Sequence, residues 1–306
     1  MPLDINSPEF MKTFVIKTGT VGVVGHGYVG QAVEAFFKDH CDVVVHDKAK
    51  PELSSLVDVV EKSELIFLCV PTPMKNDGSC HTGIIQEVLS SVNAIAKAVG
   101  RNLDSFVCVV KSTVPAGFTE EMQDKFLPMR ILFSPEFLTE KSSIADFKKT
   151  NRIIFGGDQD DALIASKYFA QVQPTRVDND QLVLLQCDPT VAEMVKLFTN
   201  GILMTKIMFA NEIYQMCEKL GVNFEEVRSI AVLDHRIGAS HTTVPGHDGQ
   251  LGAGGHCFPK DINNLRALCR ELDVPEKMFT AVIERNNELR KEKDWEKMQG
   301  RAVIDL

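Results

Sequence analysis

Cys257 stands between three glycines and a charged pair, in Gly252-Ala253-Gly254-Gly255-His256-Cys257-Phe258-Pro259-Lys260-Asp261. A thiolate is a far better nucleophile than a thiol, and a helix N-terminus or a neighbouring cation such as Lys260 lowers a thiol's pKa toward neutrality. The glycines permit positive φ and let a ligand approach closely. Pro259 is expected to stop any helix from running back through Cys257, which leaves the thiol exposed at a loop-to-helix junction. Asp261 is placed to handle a proton or a water. The alternative for the same stretch is a buried, inert cysteine beside an ordinary turn.

A second stretch that could do chemistry lies near the N-terminus. Val21-Gly22-Val23-Val24 reads as a buried strand, Gly25-His26-Gly27-Tyr28-Val29-Gly30 as GxGxxG, Gln31 to Lys38 as a helix, and Val43-Val44-Val45-His46 as a second strand ending on Asp47. In that frame Gly25, Gly27 and Gly30, with the Tyr28 and Val29 backbone, bring a pyrophosphate to the helix N-terminus, where the macrodipole favours negative charge. Asp47 lies 17 residues beyond Gly30, near the distance at which such folds place an acid on the adenosine ribose hydroxyls. The same acid repels a 2′-phosphate, so NAD is expected rather than NADP. His26 and Tyr28 fill the variable positions and take no catalytic role.

The elements that must position these groups follow a βα rhythm: strands at 64–70, 105–111, 130–133 and 152–156 alternate with helices at 82–99, 120–126 and 160–170. This alternation predicts an α/β fold with a Rossmann-like, doubly wound parallel sheet and a ligand crevice at the carboxyl ends of the strands. Three loops leave those ends: Pro71-Thr72-Pro73, Lys111-Ser112-Thr113-Val114-Pro115-Ala116-Gly117 and Ser134-Pro135-Glu136-Phe137-Leu138. Each is either turn chemistry or function when taken alone; at one sheet edge, Thr113 and Glu136 converge on the nicotinamide side. From about Thr190 the apolar period becomes helical for some thirty residues, which predicts a long central helix followed by a mostly α-helical second domain. Lys196 and Asn200 fall one turn apart on its face, as a solvated pair or a functional one. The polar, glycine-rich loop from Ala239 to Gly252 is expected to cover or contact a ligand rather than pack in a core. Domain limits are placed at 11–185 for the NAD-binding domain and 186–306 for the central helix and helical dimerisation and catalytic domain, with residues 1–10 an appended leader.

Composition excludes other classes. The 306-residue chain is 44% hydrophobic and 25% charged, with a formal net charge of −9, which argues against nucleic acid or an anionic membrane surface as partner. No apolar run approaches a bilayer span, so a cytoplasmic protein is expected. The eight cysteines contain no CxxC pair, so reduced thiols and no metal site are the expectation.

Taken together the motifs resemble the nucleotide-sugar 6-dehydrogenases, the family of UDP-glucose, GDP-mannose and UDP-N-acetylmannosamine dehydrogenases. The resemblance rests on GHGYVG (25–30), PTP (71–73), KSTVPAG (111–117), SPEFL (134–138), AEMVKLFTN (192–200), RIG (236–238) and GGHCFPKD (254–261), in the family's order. It implies oxidation of a sugar C6 alcohol to a carboxylate with two NAD, the substrate being UDP-glucose or a related nucleotide sugar. Phe-Pro-Lys-Asp is most like the UDP-glucose branch, and Gly-Gly-His-Cys more like the N-acetylmannosamine branch. By the same resemblance Cys257 captures the aldehyde as a thiohemiacetal that is oxidised to a thioester. Lys196 and Asn200 stabilise the oxyanions, Glu136 is the base for hydrolysis, and Asp261 with Thr113 positions the water. Pro71, Thr72 and Thr113 join the glycine turn in holding NAD. Phe137, Leu138, Gly254 and Lys260 contact the substrate, and Arg236 reaches a ligand across a homodimer interface. Typical members continue into a third, Rossmann-like domain; this sequence stops at Leu306, and the loop from Ala239 to Gly252 is expected to replace part of that cover. The alternatives are a two-electron 3-hydroxyacid-type dehydrogenase, which needs no cysteine, and a non-catalytic NAD-binding module.

Overall fold

The structure, a computed structural model, describes residues 19–172 and 182–305, so the leader assigned to residues 1–10 lies outside it. It divides into two compact units: residues up to Thr72 with Thr82–Lys196, and Pro73–His81 with Leu197–Leu306.

The first unit contains β1 (Thr20–Val24), α1 (Tyr28–Phe37), β2 (Val43–His46), α2 (Leu56–Lys62), β3 (Ser63–Leu68), α3 (Gly83–Ala98), β4 (Val107–Val110), α4 (Phe118–Phe126), β5 (Arg130–Phe133), α5 (Ser143–Lys149), β6 (Arg152–Gly156), α6 (Gln159–Val172) and β7 (Val183–Cys187). Its seven strands are ordered β2-β1-β3-β4-β5-β6-β7. Strand direction fixes side-chain destination by simple alternation. Leu65 and Phe67 of β3, with Val107 and Val109 of β4, join the core under α1, α5 and α6. Ile66, Leu68, Cys108 and Val110 join the opposite core under α2, α3 and α4. Both faces are therefore covered, which is why these strands read as unbroken apolar runs. On one face Phe36, Phe37, Phe67, Phe147, Phe155 and Phe169 form a connected aromatic cluster.

The sheet is parallel except where β5 meets β6, which pair antiparallel at Phe133 and Gly156. The connection between them contains only a 3₁₀ turn (Glu140–Ser142) and the seven-residue α5. α5 packs on α1 through Phe147 and Phe36, 5.1 Å between ring centroids, so it does not serve as the crossover that a parallel β6 would need. The all-parallel expectation is corrected at this one junction.

The second unit holds the larger part of the long helix α7 (Pro189–Leu220), then α8 (Phe224–Ala231), α9 (Cys257–Glu271) and α10 (Lys277–Leu289), and a closing 3₁₀ turn at Asp294–Lys297. Leu197, Met204, Ile262, Leu265, Val282, Ile283 and Leu289 form its main core. Met74 pairs with Cys80 and with Val303, tying the 73–81 segment to the chain end. Among the described residues no helix is long and apolar enough to cross a membrane, and no group of three or more His, Cys, Asp or Glu could hold a metal ion.

Two local expectations change. Helix α9 starts at Cys257, not after Pro259. Proline is tolerated in a first turn, where its missing N–H has no intrahelical acceptor to lose. The Ala239–Gly252 loop is also not a free cover. Val244 is buried against Ala210, Cys217 and Phe224, and Asp248 forms an ion pair with Arg290.

Candidate active site

In the sheet-bearing unit, the strand order reverses direction of winding between β1 and β3, and ligands of such sheets bind at the carboxyl ends beside that point. The Gly25–Gly30 turn leaves β1 there, and the residues fit a dinucleotide. Gly25 has φ +91°, and a Cβ on it would meet the Cys69 carbonyl at 2.7 Å. A Cβ on Gly30 would sit 2.0 Å from the Gly25 carbonyl oxygen, so the helix packs on the turn only as glycine. At Gly27, by contrast, an added Cβ meets nothing within 4 Å. Gly27 is the N-cap of α1 and makes no side-chain cap bond, and the first turn carries no acid. The positive end of the α1 dipole is therefore offered at this turn with no acid of the first turn set against it.

Asp47 follows β2, where its carboxylate accepts from His26 N–H at 2.6 Å and Ala49 N–H at 2.8 Å. Burial alone would raise its pKa; the two backbone bonds and the Lys50 and His26 charges outweigh it and hold the group below the usual carboxylate range. It is therefore an anion at neutral pH. His26 bridges Glu34 at 2.7 Å and Lys50 at 3.1 Å, an arrangement that ties the turn to α1 and the chain after β2. Thr72 donates to the Thr113 carbonyl at 2.6 Å, bringing two of the named loops together, while Pro71 is exposed beside them.

The third loop delivers Glu136. Its carboxylate takes Lys196 Nζ at 2.8 Å on Oε1 and Leu138 N–H at 2.7 Å on Oε2, while its carbonyl accepts from the same Nζ at 2.6 Å. Lys196 is 3% exposed and Glu136 6%, so the lysine is no solvated helix residue. Phe137 lies under two cations, Arg152 at 4.6 Å and Lys196 at 5.6 Å from its ring, and Leu138 packs against the sheet core. Any substrate contact from these two residues therefore falls largely to their backbone.

In the helical unit, Asp261 is the hub. It is 1% exposed, accepting from Asn200 Nδ2 at 2.5 Å and from Lys260 Nζ at 2.6 Å. Burial works against the Lys260 charge, but Asp261, assisted by Cys80 and Cys257, overrides it and holds the lysine pKa above its ordinary value. Lys260 is thus a permanent cation close to Cys257. The thiol itself is half-buried, at the first residue of α9, with Sγ 3.4 Å from His256 Nε2. Helix N-terminus, ammonium and imidazole all favour a thiolate there. Gly254 lies under Arg290, and Arg236 is an exposed side chain paired with Asp234.

Sequence reasoning did not single out two buried groups. Glu193, fully buried on α7, accepts from Gly117 N–H at 2.6 Å and Thr119 N–H at 2.8 Å, capping α4 and tying the Thr113 loop to the helix that carries Lys196. Lys111 donates to Ser134 Oγ at 3.2 Å and to the Pro135 carbonyl at 3.3 Å. Burial, helped by the Lys196 charge, pushes its ammonium down to about 8, against the opposing pull of Cys69 and Glu136. Both pairings join residues more than twenty positions apart, and no local pattern announces them.

Residues 52–172 match the UDP-glucose/GDP-mannose dehydrogenase family, NAD binding domain, and residues 190–288 match the central domain of the same family. A UDP-glucose 6-dehydrogenase of Streptococcus pneumoniae is 31% identical over 295 residues, covering 87% of this chain and 72% of that protein. The chain belongs to the UDP-glucose/GDP-mannose dehydrogenase family. As a member it is an NAD-dependent nucleotide-sugar dehydrogenase, in agreement with the turn at 25–30, which lies upstream of the matched span and stands on its own geometry. The solved UDP-glucose dehydrogenase of Pyrobaculum islandicum superposes with a TM-score of 0.76 at 27% identity, over 90% of this chain and 69% of that one. A 3-hydroxyisobutyrate dehydrogenase of Mycobacterium tuberculosis shares the fold alone, with a TM-score of 0.68 at 14% identity over 94% of this chain and 96% of that one. Family membership thus separates two enzyme classes that the fold does not.

Proposed function

We propose that this member oxidises UDP-glucose at C6 to the uronic acid, with Cys257 as a covalent nucleophile. The observation that carries the reading is the placement of Cys257 at the start of α9 beside His256 and the cationic Lys260. Support for the sugar comes from the relatives named as UDP-glucose 6-dehydrogenases. NAD, held by the glycine turn, Asp47 and the loops at Pro71, Thr72 and Thr113, supplies a hydride acceptor for each of the two oxidations.

The remaining work falls to the chain's own groups. Lys196 and Asn200 supply an ammonium and an amide where negative charge develops on the C6 oxygen, each donor lowering the barrier by roughly 3 kcal/mol. The Cys257 thiolate adds to the aldehyde carbon, so the intermediate cannot leave and the second oxidation yields a thioester. Glu136 takes a proton from the attacking water, Thr113 and Asp261 orient that water, and the acid departs as the thiol is restored. Lys260, Gly254 and the Phe137-Leu138 backbone contact the sugar nucleotide. The test is NADH yield with UDP-glucose, GDP-mannose and UDP-N-acetylmannosamine in turn. Two NADH per UDP-glucose is the expected result; one NADH per substrate would favour two-electron chemistry, and no turnover with measurable NAD binding would favour a binding module.

Assembly as a homodimer through α7 is part of the same proposal. Phe198, Ile202, Phe209, Met216 and Leu220 leave an apolar face on α7 that solvent would otherwise wet, Phe209 being 68% exposed. With α8 the helix borders a groove of about 340 Å³ lined by Ile202, Phe209, Ile213, Val227 and Ile237. A patch of this kind marks a protein interface, and a second copy offers the matching face. Arg236, exposed and adjacent in sequence to Ile237 of that groove, is the residue proposed to reach the partner's ligand. Phe209→Glu is expected to halve the mass measured by light scattering while leaving NAD affinity intact; an unchanged mass would place the interface elsewhere.

A further inference from the structure

The glycine run before Cys257 is held by groups from outside its motif. Gly252 N–H donates to Asn211 Oδ1 at 3.1 Å. Ala253 is bound by one side chain twice, its N–H donating to Asn286 Oδ1 at 2.7 Å and its carbonyl accepting from Asn286 Nδ2 at 3.0 Å. Gly255 N–H donates to Asp294 Oδ2 at 2.9 Å. Above Gly254 lies Arg290: a Cβ built there would sit 1.9 Å from its Nη2 and 2.8 Å from Asp294 Oδ1. Arg290 is 4% exposed; it pairs with Asp248 and stands 3.5 Å from Asp294 Oδ1, while its Nε donates to the Glu292 carbonyl at 3.1 Å.

We propose that Arg290 and Asp294 are positioning residues for Cys257, forming a latch over the Gly254-Gly255 peptide that sets where the thiol is presented. A run with three glycines in four positions has almost no side chain with which to order itself, and glycine has more backbone freedom to lose than any other residue. Its conformation must be imposed through its peptide groups. Asp294 does this at the residue immediately before His256 delivers the chain into α9, a glycine with φ +72°. The guanidinium holds the carboxylate by charge, Asp294 Oδ1 having no hydrogen-bond partner among the described residues. Its plane also fills the space that a side chain at 254 would take. Asp248 brings the preceding loop to the same guanidinium. No motif of the sequence contains Arg290 or Asp294; they follow α10, more than thirty residues after the cysteine.

The kinetic part of this inference rests on Cys257 being the nucleophile, and the thiol-reactivity part does not. Asp294→Ala and Asp294→Asn in the full chain are compared with wild type by iodoacetamide alkylation at Cys257, read by peptide mass, with the buried Cys217 of the same unit as internal control. Turnover and KM for NAD and the sugar nucleotide are measured alongside. Asp294→Ala is expected to change the Cys257 alkylation rate by about tenfold, with Cys217 unreacted. It should lower kcat by roughly ten- to a hundred-fold, the scale set by misplacing a reacting group by an ångström, with KM for NAD unchanged. Asp294→Asn, whose amide oxygen can still accept from Gly255 N–H, should restore both the alkylation rate and kcat most of the way to wild type. Unchanged alkylation and kcat in Asp294→Ala would overturn the latch. So would parallel exposure of Cys217, which marks general loosening. If the wild type oxidises no nucleotide sugar, the functional reading fails and the alkylation comparison alone decides the latch.

Discussion

Lys196→Met is expected to destabilise the chain by about 3–5 kcal/mol and to abolish turnover, the first measured by urea unfolding and the second by NADH formation. The two effects have one cause. Removing the ammonium leaves the Glu136 carboxylate, 6% exposed, with the Leu138 N–H at 2.7 Å on one oxygen and no cation on the other. A buried charge stripped of its partner bears its full desolvation cost. Lys111 donates instead to Ser134 Oγ and the Pro135 carbonyl, so only its longer-range charge remains to act on Glu136. Adding Glu136→Gln removes the orphaned charge, so the double variant should recover most of the stability and none of the activity. Loss of activity without loss of stability in the single variant would mean that the pair is solvated in solution. Loss of both in the double variant would assign Lys196 a packing role.

The same pair shows what the sequence could and could not convey. The glycine turn, the positions of β1 to β6 and the start of α7 are local matters, settled by positive φ, by unbroken apolar runs and by turn chemistry within a few residues of each position. The seven-residue α2 announces itself only by Ser55 and Asp58, a capping box in which Ser55 Oγ accepts Asp58 N–H at 3.1 Å; that signal was present and not read. Burial of Lys196 was not local. Its helix face looks solvated by composition and becomes buried and paired only when the 134–138 loop, sixty residues earlier, is laid against it. Glu193, Asn286, Arg290 and Asp294 belong to the same class, since each binds backbone far off in sequence. The proline rule also misled at Pro259, where the preference against helix applies to an interior position and not to a first turn. The expectation that the loop at 239–252 stays out of a core failed for a related reason: Val244 and Asp248 have partners on α7 and just after α10 that polarity and glycine content do not reveal.

Cys257→Ser carries the second large expected effect: formation of the acid should fall by on the order of 10⁴-fold or more, the scale of losing a nucleophile, with NADH yield dropping from two per sugar to at most one. The substitution is nearly isosteric and the site is only half-buried, so stability should change by no more than about 1 kcal/mol. The three features favouring ionisation of a thiol act on a group whose intrinsic pKa is already within reach of neutrality: the first turn of α9, Lys260 held cationic by Asp261, and His256 Nε2 at 3.4 Å. Acting on a serine hydroxyl, the same features start too far from neutrality to produce an alkoxide, so covalent capture and everything after it stop. The first oxidation needs only the oxyanion donors and is expected to survive, which makes aldehyde release the diagnostic product. A variant that still delivers two NADH per sugar would mean that the aldehyde is oxidised as its hydrate. Cys257 would then be relieved of its covalent role, and the positive surroundings of α9 would have to be explained by substrate charge instead.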